Sequence, residues 1–447
     1  MVRMVSLRPV DVVVRLLVVA LTLVGFGSAA RAENWPGWRG PRGDGSSLEE
    51  KLPTVWDGTT GQNIAWKVPI LGQGHASPVV WGDRLFYVTC LPETKERQLV
   101  CVDRLAGKTL WTRTVITSLL ETRHQLNSFA SSTPATDGEL VYVTFLETDG
   151  TTIIATNVSK PRAVNVGQVV VAAYTFAGEQ QWIARPGEFV SVHGYSSPPV
   201  IVGNLVVING DHDGESYIVA LDRKTGKTVW KSPREHKIRS YCVPLVRELD
   251  GKTQLILSGS KCVTALEAQT GKTIWTVDGP TEQFVASMVF DGERFFVVGG
   301  YPTHHVLAIR TGGAGNVTQS HVAWSVTNAK CYVPSPVLAG PFLFVADDRG
   351  TGNCFDPVTG ERWWQERLGT HYSASPATAG GLVYFLADDG ATKVVRPGKA
   401  LEVVAENPLG ETTYASAAVS GGNLFVRGEQ HLWCIGPQPK LAVVSAP

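Results

Sequence analysis

The chain has 447 residues, and Lys plus Arg and Asp plus Glu each total 40, so its formal net charge is zero. That balance excludes a basic stripe for nucleic acid and an acidic tail. The 46 Gly, 26 Pro and 13 Trp suit many short strands and turns, and a length that allows two or three domains is also within reach of one repeat-built β unit.

Residues 1–32 read as a secretion signal. Arg3, Arg8 and Arg15 precede an apolar run over 16–26, and Ala30-Arg31-Ala32 supplies a small-x-small cleavage pattern. The run is too short to span a bilayer, so the mature chain is expected to begin near Glu33, periplasmic or secreted, with no transmembrane segment and no Cys for lipid attachment. Exported chains can form disulfides. There are seven Cys, so at least one lacks a partner within the chain. Cys90 and Cys101 flank a short loop and are candidates to face each other across a hairpin; Cys242, Cys262, Cys331 and Cys354 suggest no pairing. No Cys-x-x-Cys occurs, so neither a zinc ribbon nor a c-type haem is expected.

A lead over 33–62 follows. Its stretch 34–45 is too rich in Gly and Pro for a helix, and Trp35 and Trp38 are expected to pin it against the fold. The first strand is expected over 63–68, with Trp66. From there the chain repeats. Residues 220–230 read Ala-Leu-Asp-Arg-Lys-Thr-Gly-Lys-Thr-Val-Trp, a strand end, a Thr-Gly turn and a second strand ending on Trp. Gly226 gives the turn its positive φ. The pattern recurs at Asp103 to Trp111, Glu267 to Trp275 and Asp356 to Trp364, and in every copy the Trp follows the acid by eight positions. Looser copies end on Trp182 and Trp324.

A second motif precedes each turn: a Ser-Pro or similar pair, an apolar run, a Gly turn and a strand of Val, Phe and Tyr. It begins at Ser77-Pro78, Thr133-Pro134, Ser197-Pro198, Val243-Pro244, Ser287-Met288, Ser335-Pro336, Ser375-Pro376 and Ser416-Ala417. Eight four-stranded units of this length predict an all-β fold, an eight-bladed β-propeller over 63–436 with a short tail over 437–447. The eighth unit lacks a Trp-bearing strand, and the N-terminal strand over 63–68 is expected to complete it and close the ring. Blade 7 is the weakest copy, its outer strand expected over 399–404 without a Trp. In blade 2, 71 residues separate Trp111 from Trp182, against 45 from Trp66 to Trp111; the surplus, around 148–168, predicts an excursion between the second and third strands.

The repeat at 220–230 resembles the tryptophan-docking repeat of pyrroloquinoline-quinone-like β-propellers, over roughly 63–435. The resemblance implies Trp side chains packed on neighbouring blades. It also implies two functional branches, a non-catalytic periplasmic scaffold of outer-membrane protein assembly and quinoprotein alcohol dehydrogenases. The dehydrogenases hold their quinone with an adjacent Cys pair, a calcium and an Asp base. This chain has no Cys-Cys, and its length is nearly consumed by the blades. The expectation is therefore a monomeric, exported, non-catalytic platform for a protein partner in the cell envelope, binding no nucleic acid and needing no cofactor. The alternatives are a quinone- and calcium-dependent alcohol or sugar dehydrogenase, and a propeller that binds carbohydrate or another small ligand without turnover.

In a propeller the innermost strands start at one mouth of the central channel. Counting back from each Pro-equivalent position predicts that His75, His193, Tyr195, Arg239, Tyr241, Tyr332, His371, Tyr372 and Tyr414 form a rim, able to bind a ligand by stacking and hydrogen bonding or merely to plug the channel. No metal site is assigned. Asp211-His212-Asp213-Gly214 has metal-like composition but reads as a hairpin turn, as do Asp347-Asp348 and Asp388-Asp389, and His304-His305 reads as a loop.

Overall fold

The computed structural model describes residues 32–155, 158 and 160–439. The signal expected over 1–32 lies, but for residue 32, outside the described residues, as does most of the tail. The described residues form eight sheets around a ring, antiparallel but for one short edge pairing, an eight-bladed β-propeller as the repeats predict. The inner strands are Val79–Trp81, Ala135–Thr136, Val200–Val202, Leu245–Leu249, Val289–Phe290, Val337–Ala339, Ala377–Ala379 and Ala418–Ser420.

Blade 3 shows why the repeat folds this way. Its third strand, Tyr217–Asp222, is buried over Tyr217–Leu221, which is why it reads as a continuous apolar run rather than an alternation. Its outer strand, Thr228–Pro233, buries Trp230 alone. The acid fixes the connection between them: Asp222 Oδ1 accepts the backbone N–H of Lys224 (3.2 Å) and of Thr225 (2.9 Å), an Asx turn. Ala220 then pairs with Trp230 and a bulge follows. Turn and bulge together set the eight-residue spacing.

Neighbouring blades are joined at two radii. On the outside, each docked Trp donates its indole N–H to the carbonyl one residue past the acid of the next blade's turn, or to the equivalent carbonyl. Trp66 donates to Arg104 O (3.0 Å), Trp111 to Phe176 O (2.9 Å), Trp182 to Arg223 O (2.9 Å), Trp230 to Ala268 O (3.0 Å), Trp324 to Pro357 O (3.1 Å) and Trp364 to Gly398 O (3.2 Å). Trp275 is the departure. It is buried, but its Nε1 finds no acceptor, because the chain after blade 5's third strand leaves the repeat and lays Gly315–Asn316 parallel to the strand that carries Trp275. On the inside, the Ser of the Ser-Pro motif is the fastener. The Ser335 hydroxyl accepts Ser287 N–H, Ser375 accepts Ser335 N–H and Ser416 accepts Ser375 N–H, each at 2.9 Å. Thr133 and Ser287 do the same for Ser77 and Val243 at 3.1 Å.

The ring is closed by the N-terminal strand, Ile64–Pro69, which pairs antiparallel with His431–Ile435 of blade 8. Its Trp66 supplies the dock on blade 1 that blade 8 otherwise lacks. Blade 7's outer strand is Glu402–Asn407 rather than 399–404, because residues around Gly398 form the turn on which Trp364 docks. Trp56 of the lead stacks on Tyr384 (6.5 Å) and belongs to the same core as Leu424 and Val426 of blade 8. The expected pairing of Cys90 with Cys101 is corrected. The register sets Cys90 opposite Arg97 and Cys101 opposite Phe86, and all seven cysteines are unbridged.

Gly226 tests the outer fastener. Its φ is +70°, and a Cβ there would stand 2.5 Å from Cε3 of Trp182. Gly340 has φ +58° but open space around it. Gly340→Ala is expected to cost about 1 kcal/mol from backbone strain alone, and Gly226→Ala about 3 kcal/mol because the docked ring must also move. Denaturant unfolding of the two variants measures the difference.

Candidate functional site

The channel opens at one mouth into a cavity of about 430 Å³, walled by residues from nearly every blade. The other end is filled by the lead. Trp35 pairs through its backbone with Val80 of blade 1, Pro36 O accepts Thr136 N–H of blade 2, Arg42 O accepts from Arg247 of blade 4, and Ser47 donates to Thr378 O of blade 7. Arg39 rises inside and donates to Pro336 O of blade 6 at 2.5 Å. Trp38, expected only to pin the lead, lines the cavity, with its indole N–H 3.3 Å from Ser287 Oγ.

Six residues of the expected rim line this cavity: His75, His193, Tyr241, Tyr332, His371 and Tyr414. His75 packs against Tyr414 (ring centroids 4.5 Å) across the blade 8–blade 1 junction. The other three do not line it. Tyr195 turns inward between blades, edge-on to Phe189 (5.1 Å), and its hydroxyl donates to Ser197 O. Tyr372 is buried in the core shared by blades 6 and 7; it follows His371 directly, and neighbours in an extended segment point to opposite sides. Arg239 is drawn away by Asp213, both of whose carboxylate oxygens lie 2.8 Å from its Nη1.

Sequence reading missed His124, Leu126, Asn127 and Asp348 at the cavity. The first three sit in the long connection between blades 1 and 2. Its length between Thr117 and Ala135 was the available signal. Here the blade 2 excursion acts as a brace. It is a hairpin in which Thr152–Ala155 pairs with the start of Arg162–Thr175. Asn165 Oδ1 accepts Thr122 N–H (2.8 Å) and Oγ1–H (2.9 Å), and Arg162 donates to Val192 O (3.3 Å). The two braced segments are joined by His124 N–H donating to His193 O (3.1 Å), with the imidazoles 5.8 Å apart.

The acidic pairs divide their work. Asp347 caps its own turn through Arg349 N–H (2.8 Å) and Thr351 N–H (3.0 Å), and Asp389 accepts Ala391 N–H (3.0 Å). Asp348 and Asp388, one repeat apart, instead accept Val333 N–H (2.9 Å) and Ser373 N–H (2.7 Å). Asp388 also holds His371 Nδ1 at 2.6 Å. Asp348 reaches the cavity itself. The 211–214 cluster is not a two-residue turn but part of a loop over 211–216, and its side chains diverge: Asp211 to Arg234, Asp213 to Arg239, and His212 Nδ1 to the N–H groups of Val190 and Gly214. His304 meets Cys331 O at 2.8 Å. Among the described residues no three His, Cys, Asp or Glu side chains converge to hold a metal ion.

Burial governs the electrostatics. It pulls His75 down to about 4, helped by the Arg427 guanidinium, and His193 down to about 3, helped by Arg239. These imidazoles are neutral at pH 7. Tyr332 is pushed up to about 12 by burial. Burial also pushes Asp348 up to about 6, against the pull of Val333 N–H. A carboxyl with a raised folded pKa binds its proton more tightly when folded, so its ionisation costs stability above pH 6 and nothing below the unfolded value. Asp348→Asn keeps an acceptor for Val333. It is expected to raise stability above pH 6 by on the order of 3 kcal/mol at most and to leave it unchanged below about pH 4, as thermal melts at both ends of that range would record.

The family model described as outer membrane protein assembly factor BamB matches residues 54–210, 161–320 and 314–426. No curated protein sequence matches the chain. Among solved structures, BamB from Moraxella catarrhalis superposes with a TM-score of 0.55 at 13% identity, over 83% of this chain and 96% of that one. A europium-containing methanol dehydrogenase superposes at 0.50 with 12% identity, over 89% and 90%. The computationally designed Ika8 protein does so at 0.54 with 12% identity, over 88% and 99%. At these identities the likeness is one of fold.

Proposed function

The chain belongs to the family described as outer membrane protein assembly factor BamB, and on that premise we propose that it is an exported, non-catalytic platform that binds a protein partner at the open mouth of its channel. The observation that carries this reading is the blind cavity: about 430 Å³, floored by Trp38 and walled by imidazole and tyrosine rings. Such a pocket receives a protruding group and excludes water around it. The leader pattern over 1–32 supports export, and among the described residues no helix is long and apolar enough to cross a membrane.

The donor set argues against the quinone and calcium of the dehydrogenase branch. Calcium takes six to eight oxygens, largely from carboxylates and carbonyls. The cavity offers one carboxylate, Asp348, and one amide, Asn127, whose Oδ1 already accepts Ser128 N–H (2.8 Å) and Ser131 Oγ–H (2.6 Å). With no Cys-Cys in the sequence, these residues do not fit the group.

A photo-crosslinking amino acid in place of Leu126, which lines the cavity and is 39% exposed, is expected to capture an envelope protein in cells. Tyr332→Ala with Tyr414→Ala should lower the yield at least about tenfold, as for a binding hot spot. Undiminished capture by the folded double variant would move the site elsewhere. Tight quinone binding with dye-linked alcohol oxidation, after addition of quinone and calcium, would overturn the reading.

A further inference from the structure

We propose that the cavity is selective for a lysine side chain of the partner, held between Asp348 and the Tyr332 ring. This rests on the platform reading above and specifies what enters the mouth.

Charge is the first argument. Among the described residues Asp348 is the only Asp, Glu, Lys or Arg side chain that lines the cavity. Its Oδ1 is occupied by Val333 N–H (2.9 Å), and among the described residues its Oδ2 takes no protein donor. A carboxylate in a desolvated wall with one oxygen unused favours a cationic partner. Burial leaves two of the lining imidazoles, His75 and His193, neutral near pH 7, and a third, His371, has its Nδ1 held by Asp388 at 2.6 Å. Of the cations behind the wall, Arg239 is paired with Asp213, whereas Arg427 sits across the ring behind His75, donating to Val88 O with its guanidinium over Tyr87, its Nε and Nη2 buried without a partner. The cavity is therefore polarised, with a buried guanidinium on the blade 8–blade 1 side and the open carboxylate on the blade 6 side. A cation entering it is directed towards blade 6.

Shape is the second argument. The lining is mostly aromatic and aliphatic, which suits a slender apolar stem carrying a charge at its tip, and a tyrosine face attracts an ammonium that has shed its water. Tyr332 adjoins Val333, whose N–H positions Asp348, so ring and carboxylate belong to one wall. A single free oxygen matches a point donor better than the two-pronged guanidinium fork, which favours lysine over arginine. The blind floor at Trp38 limits entry to a side chain or a molecule of that size.

The test uses the mature chain and three probes: the blocked tripeptide acetyl-Gly-Lys-Gly-amide, the same peptide acetylated on the lysine, and n-butylammonium. Binding is followed by Trp fluorescence and NMR shifts. The lysine peptide should bind saturably, and acetylation should weaken it about tenfold or more, the loss expected of a charge-assisted contact. Asp348→Asn should weaken the lysine peptide as much and leave the acetylated peptide unchanged. Equal affinity for both peptides, an unaffected Asp348→Asn, or no saturable binding of the lysine peptide overturns the assignment. Butylammonium at least as tight as the peptide overturns the partner as source and leaves a free amine. The crosslinking assay separates the two levels. Capture lost with Tyr332→Ala and Tyr414→Ala but kept with Asp348→Asn removes the lysine and leaves the platform; capture insensitive to both removes the mouth as the binding site and the lysine with it.

Discussion

The structure depends on an indole lying flat on the next blade's turn. The dock has two parts: a glycine with no side chain to hold the ring away, as at Gly226 under Trp182, and a carbonyl one residue past the acid to accept the indole N–H. Burying such a ring is worth about 1.5–3 kcal/mol, and the hydrogen bond adds on the order of 1 kcal/mol. Among the described residues five docks, those of Trp66, Trp111, Trp182, Trp230 and Trp324, have a glycine under the ring and the hydrogen bond, and Trp364 keeps the hydrogen bond. Because every blade leans on the next, the blades share a stability that none has alone. The Ser hydroxyl links at the inner radius do the same near the axis, and they fix where each inner strand begins. That in turn fixes which residues meet at the mouth.

The fold was legible because its rules are local. The acid must cap the turn, the bulge must follow Ala220, and the Trp must land opposite it, so a fixed spacing survives in the sequence wherever the dock survives. Even the missing eighth Trp pointed to the strand that closes the ring. The site was legible only in part, because its rules are not local. Counting back from the Ser-Pro pair locates a segment at the mouth but not the direction of each side chain. Tyr372 turns into the core beside His371, Tyr195 turns onto Phe189, and Arg239 is captured by an Asp on another blade. Asp348 was hidden by its neighbour. The pair reads as turn chemistry, and for Asp347 it is, but the second acid bonds back across the blade to Val333 and so reaches the channel.

The distinctive features of the site come from the two segments that break the repeat. The lead over 33–62 spans the ring through backbone bonds to blades 1, 2 and 7, and Arg39 and Trp38 turn an open channel into a closed pocket. The blade 2 hairpin braces the loops bearing His124 and His193 through Asn165 and Arg162. Repeated sequence thus makes the frame, and unrepeated sequence makes the pocket.

Amide and indole hydrogen exchange, read residue by residue by NMR, tests the central claim most directly. A ring closed by the N-terminal strand and fastened blade to blade predicts that the indole proton of Trp66 is protected to the same degree as that of Trp230, and that both are lost together in one cooperative opening. Rapid exchange at Trp66 while Trp230 stays protected would contradict it, since the ring would then be open between blades 8 and 1.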